Sequence, residues 1–202
     1  MQAKRAKNTV YLVLGGLVLL VAAALATALS APPDLLYGLV RGCALLGYAL
    51  VFCAILSNAY ITSLVRFFGR SFIQVHHIIS ISGLVIITLH PLALAIYSGA
   101  LSVFLPVYSS VIELLQYAGR PAWYLLLIAA LAAVLRQSLK KSWRTIHWLN
   151  YLAFALASIH AMLIGGNFQA WPARIIAIIL MAVIIYVFVT KRLKKAKRAA
   201  AR

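Results

Sequence analysis

Apolar residues run along this chain in six long blocks, separated by short polar or basic stretches. The blocks cover 9–29, 36–65, 74–97, 121–135, 143–164 and 173–190. A helix that crosses a bilayer needs about 20 consecutive apolar residues, so each block predicts one transmembrane helix. The second block is long enough to tilt. Pro32, Pro33 and Asp34 predict a turn between the first two. The stretch 101–119 is apolar but carries Pro106, Ser109, Ser110, Glu113 and Gln116, which predicts an interfacial helix lying on the membrane. Read instead as a seventh span, it would put the basic C-terminus opposite the basic N-terminus. The expected fold is therefore all-α: a polytopic membrane bundle of six transmembrane helices with an interfacial helix between the third and fourth. It divides into a basic N-terminus (1–8), the transmembrane domain (9–190) and a basic tail (191–202).

Composition agrees with lipid as the solvent. Of 202 residues, 65% are hydrophobic and only 10% charged, with a mean hydropathy of +1.00. A soluble domain is about a quarter charged. The length leaves no room for a separate soluble domain, and the first block is too long for a cleaved signal peptide. A net charge of +17 would suggest nucleic acid in a soluble protein, but the placement of the cations gives another reason for it. Lys4, Arg5, Lys7, Arg66, Arg70, Arg136, Lys140, Lys141 and Arg144 fall on one side of a six-span chain. So do Lys191, Arg192, Lys194, Lys195, Lys197, Arg198 and Arg202. Arg41, Arg120 and Arg174 fall on the other, with both acids, Asp34 and Glu113. The 16-to-3 split places both termini in the cytoplasm of a plasma (inner) membrane protein, with lipid and no nucleic acid as partner. The tail would also attract anionic lipid or an acidic protein. Cys43 and Cys53 lie inside one apolar block and read as packing residues. No internal repeat, Ser/His/Asp arrangement, glycine-rich phosphate loop or cysteine cluster is visible in the sequence.

The candidate chemistry lies in the histidines. His76, His77 and His90 sit in the third block, His147 and His160 in the fifth. Ionisable groups in a membrane are costly and usually functional. His76 and His90 are 14 residues apart, so on one helix they stand about 21 Å apart and within about 40° of one face. His147 and His160 are 13 apart, about 20 Å along the axis. The two helices thus offer two facing pairs, one per leaflet: His76 with His147 near the inner end, His90 with His160 near the outer. Two neutral imidazoles facing across a gap suit an axially coordinated haem iron. A straight helix turns His160 about 140° away from His147, so the fifth helix would need a bulge or bend. His77 has the same phase problem with His90, which favours His76 as ligand. Pro91 predicts a kink after His90. Gly83, midway between His76 and His90, would admit either a macrocycle or a neighbouring helix. Phe154 lies between His147 and His160, where packing or a place between two haems would suit it. Arg70 and Arg144 inside, and Arg120, Arg174, Asn167 and Gln169 outside, could meet haem propionates. A histidine-lined ion transporter would want carboxylates in the bundle, and the spans carry none.

His76 and His90 on one helix, with the run Trp143-Arg144-x-x-His147-x-x-x-Tyr151 and His160 on another, resemble the ferric-reductase-like transmembrane domain superfamily. It includes ferric reductases, NADPH oxidases and the haem membrane subunit of the periplasmic methionine sulfoxide reductase system. The resemblance covers roughly 36–186. It implies two stacked b-type haems passing electrons across the membrane, the inner held by His76 and His147 and the outer by His90 and His160. The same 13-residue spacing serves that superfamily as ligands. Two features depart from it. No cytoplasmic flavin and NAD(P)H domain follows the last block, so electrons would come from a separate flavoprotein reductase or from a quinol. The methionine-sulfoxide-reductase subunit, which also lacks that domain, tends to have arginine where His76 stands. The expected function is electron transfer from a cytoplasmic-side donor to ferric iron, dioxygen or a partner protein outside. The alternative is a haem-binding anchor or relay subunit dedicated to a periplasmic partner reductase, with 101–119 as its docking surface.

Overall fold

The computed structural model describes residues 34–69 and 71–193. The first expected span, 9–29, lies outside the described residues, as do Arg70 and the end of the basic tail. The described chain is all-helical, with no strand. Helix α1 is Leu35–Ala59, α2 Ile61–Phe68 and α3 Phe72–Ser98. A 3-10 turn, Leu101–Phe104, and a short α4, Val111–Gln116, lead to α5, Gly119–Val134. One-turn α6, Arg136–Leu139, precedes α7, Ser142–His147, and α8, Leu149–Ile164. A second 3-10 turn, Gly166–Phe168, joins α8 to α9, Trp171–Val187, which continues as the π-helical Phe188–Leu193.

Four of these stretches are long and apolar enough to cross a membrane: Leu35–Ala59, Phe72–Ser98, Ser142–Ile164 and Trp171–Lys191. This is a membrane protein by the length and composition of its helices. Helix α5 is shorter, about 24 Å at 1.5 Å per residue. Most of the large exposed side chains on α3 and α9 are apolar, among them Ile78, Ile81, Val85, Ile178 and Ile179. Water would not tolerate that surface; lipid would.

Two expected elements are divided. The apolar pattern of the second block predicts helix to residue 65, but the helix ends at Ala59, where Tyr60 takes φ −110° and ψ 13°. Beyond Tyr60 the chain forms the separate α2, none of whose residues is buried. The stretch 101–119 is likewise not one helix. Pro106 lacks the N–H that a helix through this point would use, and only six residues regain helix, capped by Ser110, whose hydroxyl accepts from the Glu113 N–H. Asp34 caps α1, its carboxylate accepting from the Tyr37 N–H at 2.7 Å, while Pro32 and Pro33 of the expected turn lie outside the described residues.

In lipid no hydrophobic force drives one helix against another, so close packing carries the association, and small residues permit it. Helix α3 packs mainly along α1, and α8 along α5. At the α1–α3 contact a Cβ on Gly47 would lie 2.8 Å from the Ile87 backbone, and one on Gly83 would lie 3.0 Å from the Leu50 Cβ. Gly83 therefore serves helix packing, and its open face is not turned to a macrocycle. Helices α5 and α8 bury small residues, Ala122, Ala129 and Ala132 on the first and Ala153 on the second. Between the two pairs of helices lies an aromatic centre. Phe154, 1% exposed, stacks on Tyr48 at 4.6 Å between centroids, and the Tyr48 hydroxyl meets fully buried Ser158 at 2.8 Å. Phe154 is thus a packing residue of the core.

Candidate functional site

The four paired histidines share one arrangement. His90 on α3 donates from Nδ1 to the Val40 carbonyl on α1 at 2.9 Å. His147 at the end of α7 donates to the Ala129 carbonyl on α5 at 2.9 Å. His160 on α8 donates to the Gln116 carbonyl at the end of α4 at 2.6 Å. A carbonyl only accepts, so in each case the proton sits on Nδ1. His76 on α3 meets the Ser57 hydroxyl at 2.7 Å. That hydroxyl already donates to the Ala54 carbonyl, so it accepts from His76 Nδ1–H. All four rings therefore keep their lone pair on Nε2, one of the two nitrogens through which an imidazole binds a metal; at His147 it accepts from the Asn150 amide.

Local structure explains the partners. Gln116 closes α4, and the last carbonyls of a helix have no helical donor, so His160 meets an acceptor that is otherwise open. Val40 and Ala129 are buried inside helices, where a carbonyl still has a second lone pair for a side chain. Gly119 opens α5, and a Cβ there would fall 2.7 Å from His160 Cδ2 and 2.9 Å from Nε2. The absence of a side chain at 119 is what lets the imidazole lie where it does.

His76 and His147 are near enough for their rings to interact electrostatically, and so are His90 and His160. The fifth block has one local tightening. It falls at Trp148, between α7 and α8, where Trp148 N–H bonds Thr145 and Tyr151 N–H bonds Trp148, each three residues back. Three-residue turns rotate each step about 20° further than α-helical ones, which swings His147 toward the phase of His160. His77 is exposed, its ring 5.8 Å from that of His76. Helix α3 runs on through Pro91, which removes the bond that Ile87 would receive.

His90 and His160 line one cavity of about 340 Å³ at their end of the bundle. Val40, Ala44, Ile87, Leu94 and Leu126 make its walls largely apolar, and Tyr48, Trp123 and Phe168 add aromatic faces. Phe104 from the 3-10 turn also lines it, held by Tyr124, whose hydroxyl donates to the Phe104 carbonyl at 3.0 Å. At the His76–His147 pair the Asn150 amide donates to His147 Nε2 at 3.3 Å.

The arginine and amide candidates divide. Arg120 and Asn167 line the cavity. Arg174 does not; its Nε donates to the Phe168 carbonyl at 2.8 Å and its guanidinium lies 5.7 Å from the Trp171 ring. Gln169 is exposed and does not line it either. Arg144 is exposed beside Trp143, one turn before His147. Arg41, which the charge pattern assigned to topology alone, also lines the cavity, bonded to Asn167 at 2.6 Å. Cys43 and Cys53 are free thiols. Among the described residues no three His, Cys, Asp or Glu side chains converge into a protein-only metal site. Compared with protein-family models, curated proteins and solved structures, the chain matches none.

Proposed function

We propose that this chain carries electrons across a membrane through two b-type haems, one between His76 and His147 and one between His90 and His160. The observation that carries the reading is the shared state of the four imidazoles, each with Nδ1–H engaged and the lone pair on Nε2, which at His147 the Asn150 amide would have to give up to the iron. The outer cavity supports it with apolar and aromatic walls, as a porphyrin requires. A b-type haem held this way supplies one-electron exchange between ferric and ferrous iron without opening a coordination position. The protein's part is orientation. Val40, Gln116, Ala129 and Ser57 fix the rings and strengthen them as donors through their hydrogen bonds. The Tyr48–Phe154 stack and the Ser158 bond keep the middle of the bundle closed to water.

In this reading six spans cross a plasma (inner) membrane with both termini cytoplasmic, and 101–119 lies at the outer interface. Its exposed Leu101, Leu105, Tyr108, Val111 and Ile112 suit that depth. The His76–His147 pair then faces the cytoplasm. Electrons would enter at that pair from a flavoprotein reductase or a quinol, and the His90–His160 pair would hold the group that passes them to ferric iron, dioxygen or a partner protein. A relay subunit for a periplasmic reductase such as a methionine sulfoxide reductase would use the same two sites, with that exposed segment as its contact. Pair-specific substitution tests the proposal: His90→Ala and His147→Ala should each remove a different haem and leave the other. A single substitution that removes neither would overturn the assignment.

A further inference from the structure

Part of the wall of the His90–His160 cavity belongs to no long helix. It is the 3-10 turn Leu101–Phe104, from which Val103 and Phe104 line the cavity while Leu101 and Leu105 are exposed. Gly99, left-handed at φ 65°, ends α3 and turns the chain into this segment. Pro106 has no N–H to donate and stops the turn from extending. The last carbonyls of such a turn have no donor within it. Their donors come from one face of α5, from two residues one helical turn apart. The Tyr124 hydroxyl donates to the Phe104 carbonyl at 3.0 Å, and Arg120 Nη1 donates to the Leu105 carbonyl at 2.5 Å. Among the described residues these two hydrogen bonds tie 101–105 to another helix, and both are exposed, so water competes for them. The Phe104 ring lies 5.6 Å from that of Trp123 between centroids. Trp123 is held more firmly: its Nε1–H donates to the Thr88 hydroxyl at 3.0 Å and bridges α5 to α3. One aromatic wall of the cavity is thus fixed across two helices, and its neighbour hangs from a surface turn by two exposed bonds.

Resting on the two-haem reading, we infer that 100–106 is a gate to the His90–His160 site, with Phe104 as its plug and the Tyr124 and Arg120 bonds as its latch, past which the flat apolar ligand of that site enters and leaves. Opening breaks the two latch bonds and withdraws one aromatic ring. The Trp123–Thr88 bridge and the bonds that orient His90 and His160 stay whole. Segments with few buried contacts and exposed hydrogen bonds are the ones that open locally while the rest of a protein stays folded.

The test compares the unaltered full chain with Tyr124→Phe and Phe104→Ala in two measurements. The first is haem kinetics: release to an excess of an apo-haem acceptor protein, then entry of added haemin into the emptied site, with the inner haem as the control for folding. A gate changes entry and release together, whereas a residue that merely contacts the ligand changes release alone. Tyr124→Phe removes one neutral hydrogen bond and should speed both entry and release about 2- to 12-fold, with affinity nearly unchanged. Phe104→Ala removes the plug and should speed both further. The second measurement is hydrogen exchange by mass spectrometry, which needs no haem. Tyr124→Phe should speed exchange of the amides in 100–105 and leave those of α3 and α5 unmoved. If Phe104→Ala also loses the inner haem, Tyr124→Phe carries the comparison by itself. Faster release without faster entry, or exchange in 100–105 unchanged by Tyr124→Phe, would overturn the gate and leave the two-haem reading intact. An unaltered protein that binds no haem would overturn that reading itself.

Discussion

Gly119→Ala is the smallest change that should reach the proposed His90–His160 site. The added Cβ would stand 2.7 Å from His160 Cδ2, 2.9 Å from Nε2 and 3.0 Å from Cγ. Ordinary contact begins near 3.4 Å, so the ring must retreat by about 0.7 Å. It cannot do so freely, because Nδ1 is tied to the Gln116 carbonyl at 2.6 Å. Overpacking of this kind costs about 1–3 kcal/mol. At about 1.4 kcal/mol per factor of ten, outer-haem affinity should fall by roughly 5- to 150-fold. The assay is haem transfer to an excess of an apo-haem acceptor protein, followed by absorbance, with the inner haem read in the same sample. Gly47→Ala is the contrast: its Cβ would strike the Ile87 backbone at 2.8 Å, so it should lower thermal stability and affect both haems. An outer haem in Gly119→Ala that is lost no faster than in the unaltered protein would refute the reasoning.

Other outcomes rest on the same geometry. His76→Ala should abolish the inner haem while His77→Ala keeps it, because His77 is exposed and His76 is the ring held by Ser57; a haem count on both variants decides this. Ser57→Ala removes the acceptor for His76 Nδ1–H and should weaken inner-haem binding about 10- to 100-fold, as losses of such supporting bonds do, with the outer haem unchanged in the same transfer assay. Tyr48→Phe deletes the hydroxyl bonded to Ser158 in the core and should cost about 1 kcal/mol, measured as a lowered unfolding midpoint in detergent with both haems still bound.

Much of the site was legible in the sequence because helical periodicity converts spacing into position. Fourteen residues place His76 and His90 on one face of α3, and the long apolar blocks give most of the helices. What the sequence did not reveal depends on contacts between distant segments. Nothing local to His160 names Gln116 or Gly119 as its neighbours, since 44 residues separate His160 from that carbonyl. Arg41 looked like a topology signal because its partner, Asn167, lies 126 residues away. Gly83 was open to two readings, and only the position of Leu50 on α1 decides for helix packing. The break at Tyr60 has no proline or glycine to announce it, as both neighbouring helices keep an apolar composition. Pro106, by contrast, was visible, and it divides the outer segment as proline chemistry dictates.

The central claim is that two pairs of imidazoles hold two haems. An absorption spectrum of the purified protein, oxidised and then reduced, with a haem count per chain, tests it most directly. The account predicts two haems per chain, both low-spin with the bands of bis-imidazole coordination. No haem, or only high-spin iron with one imidazole, would contradict it.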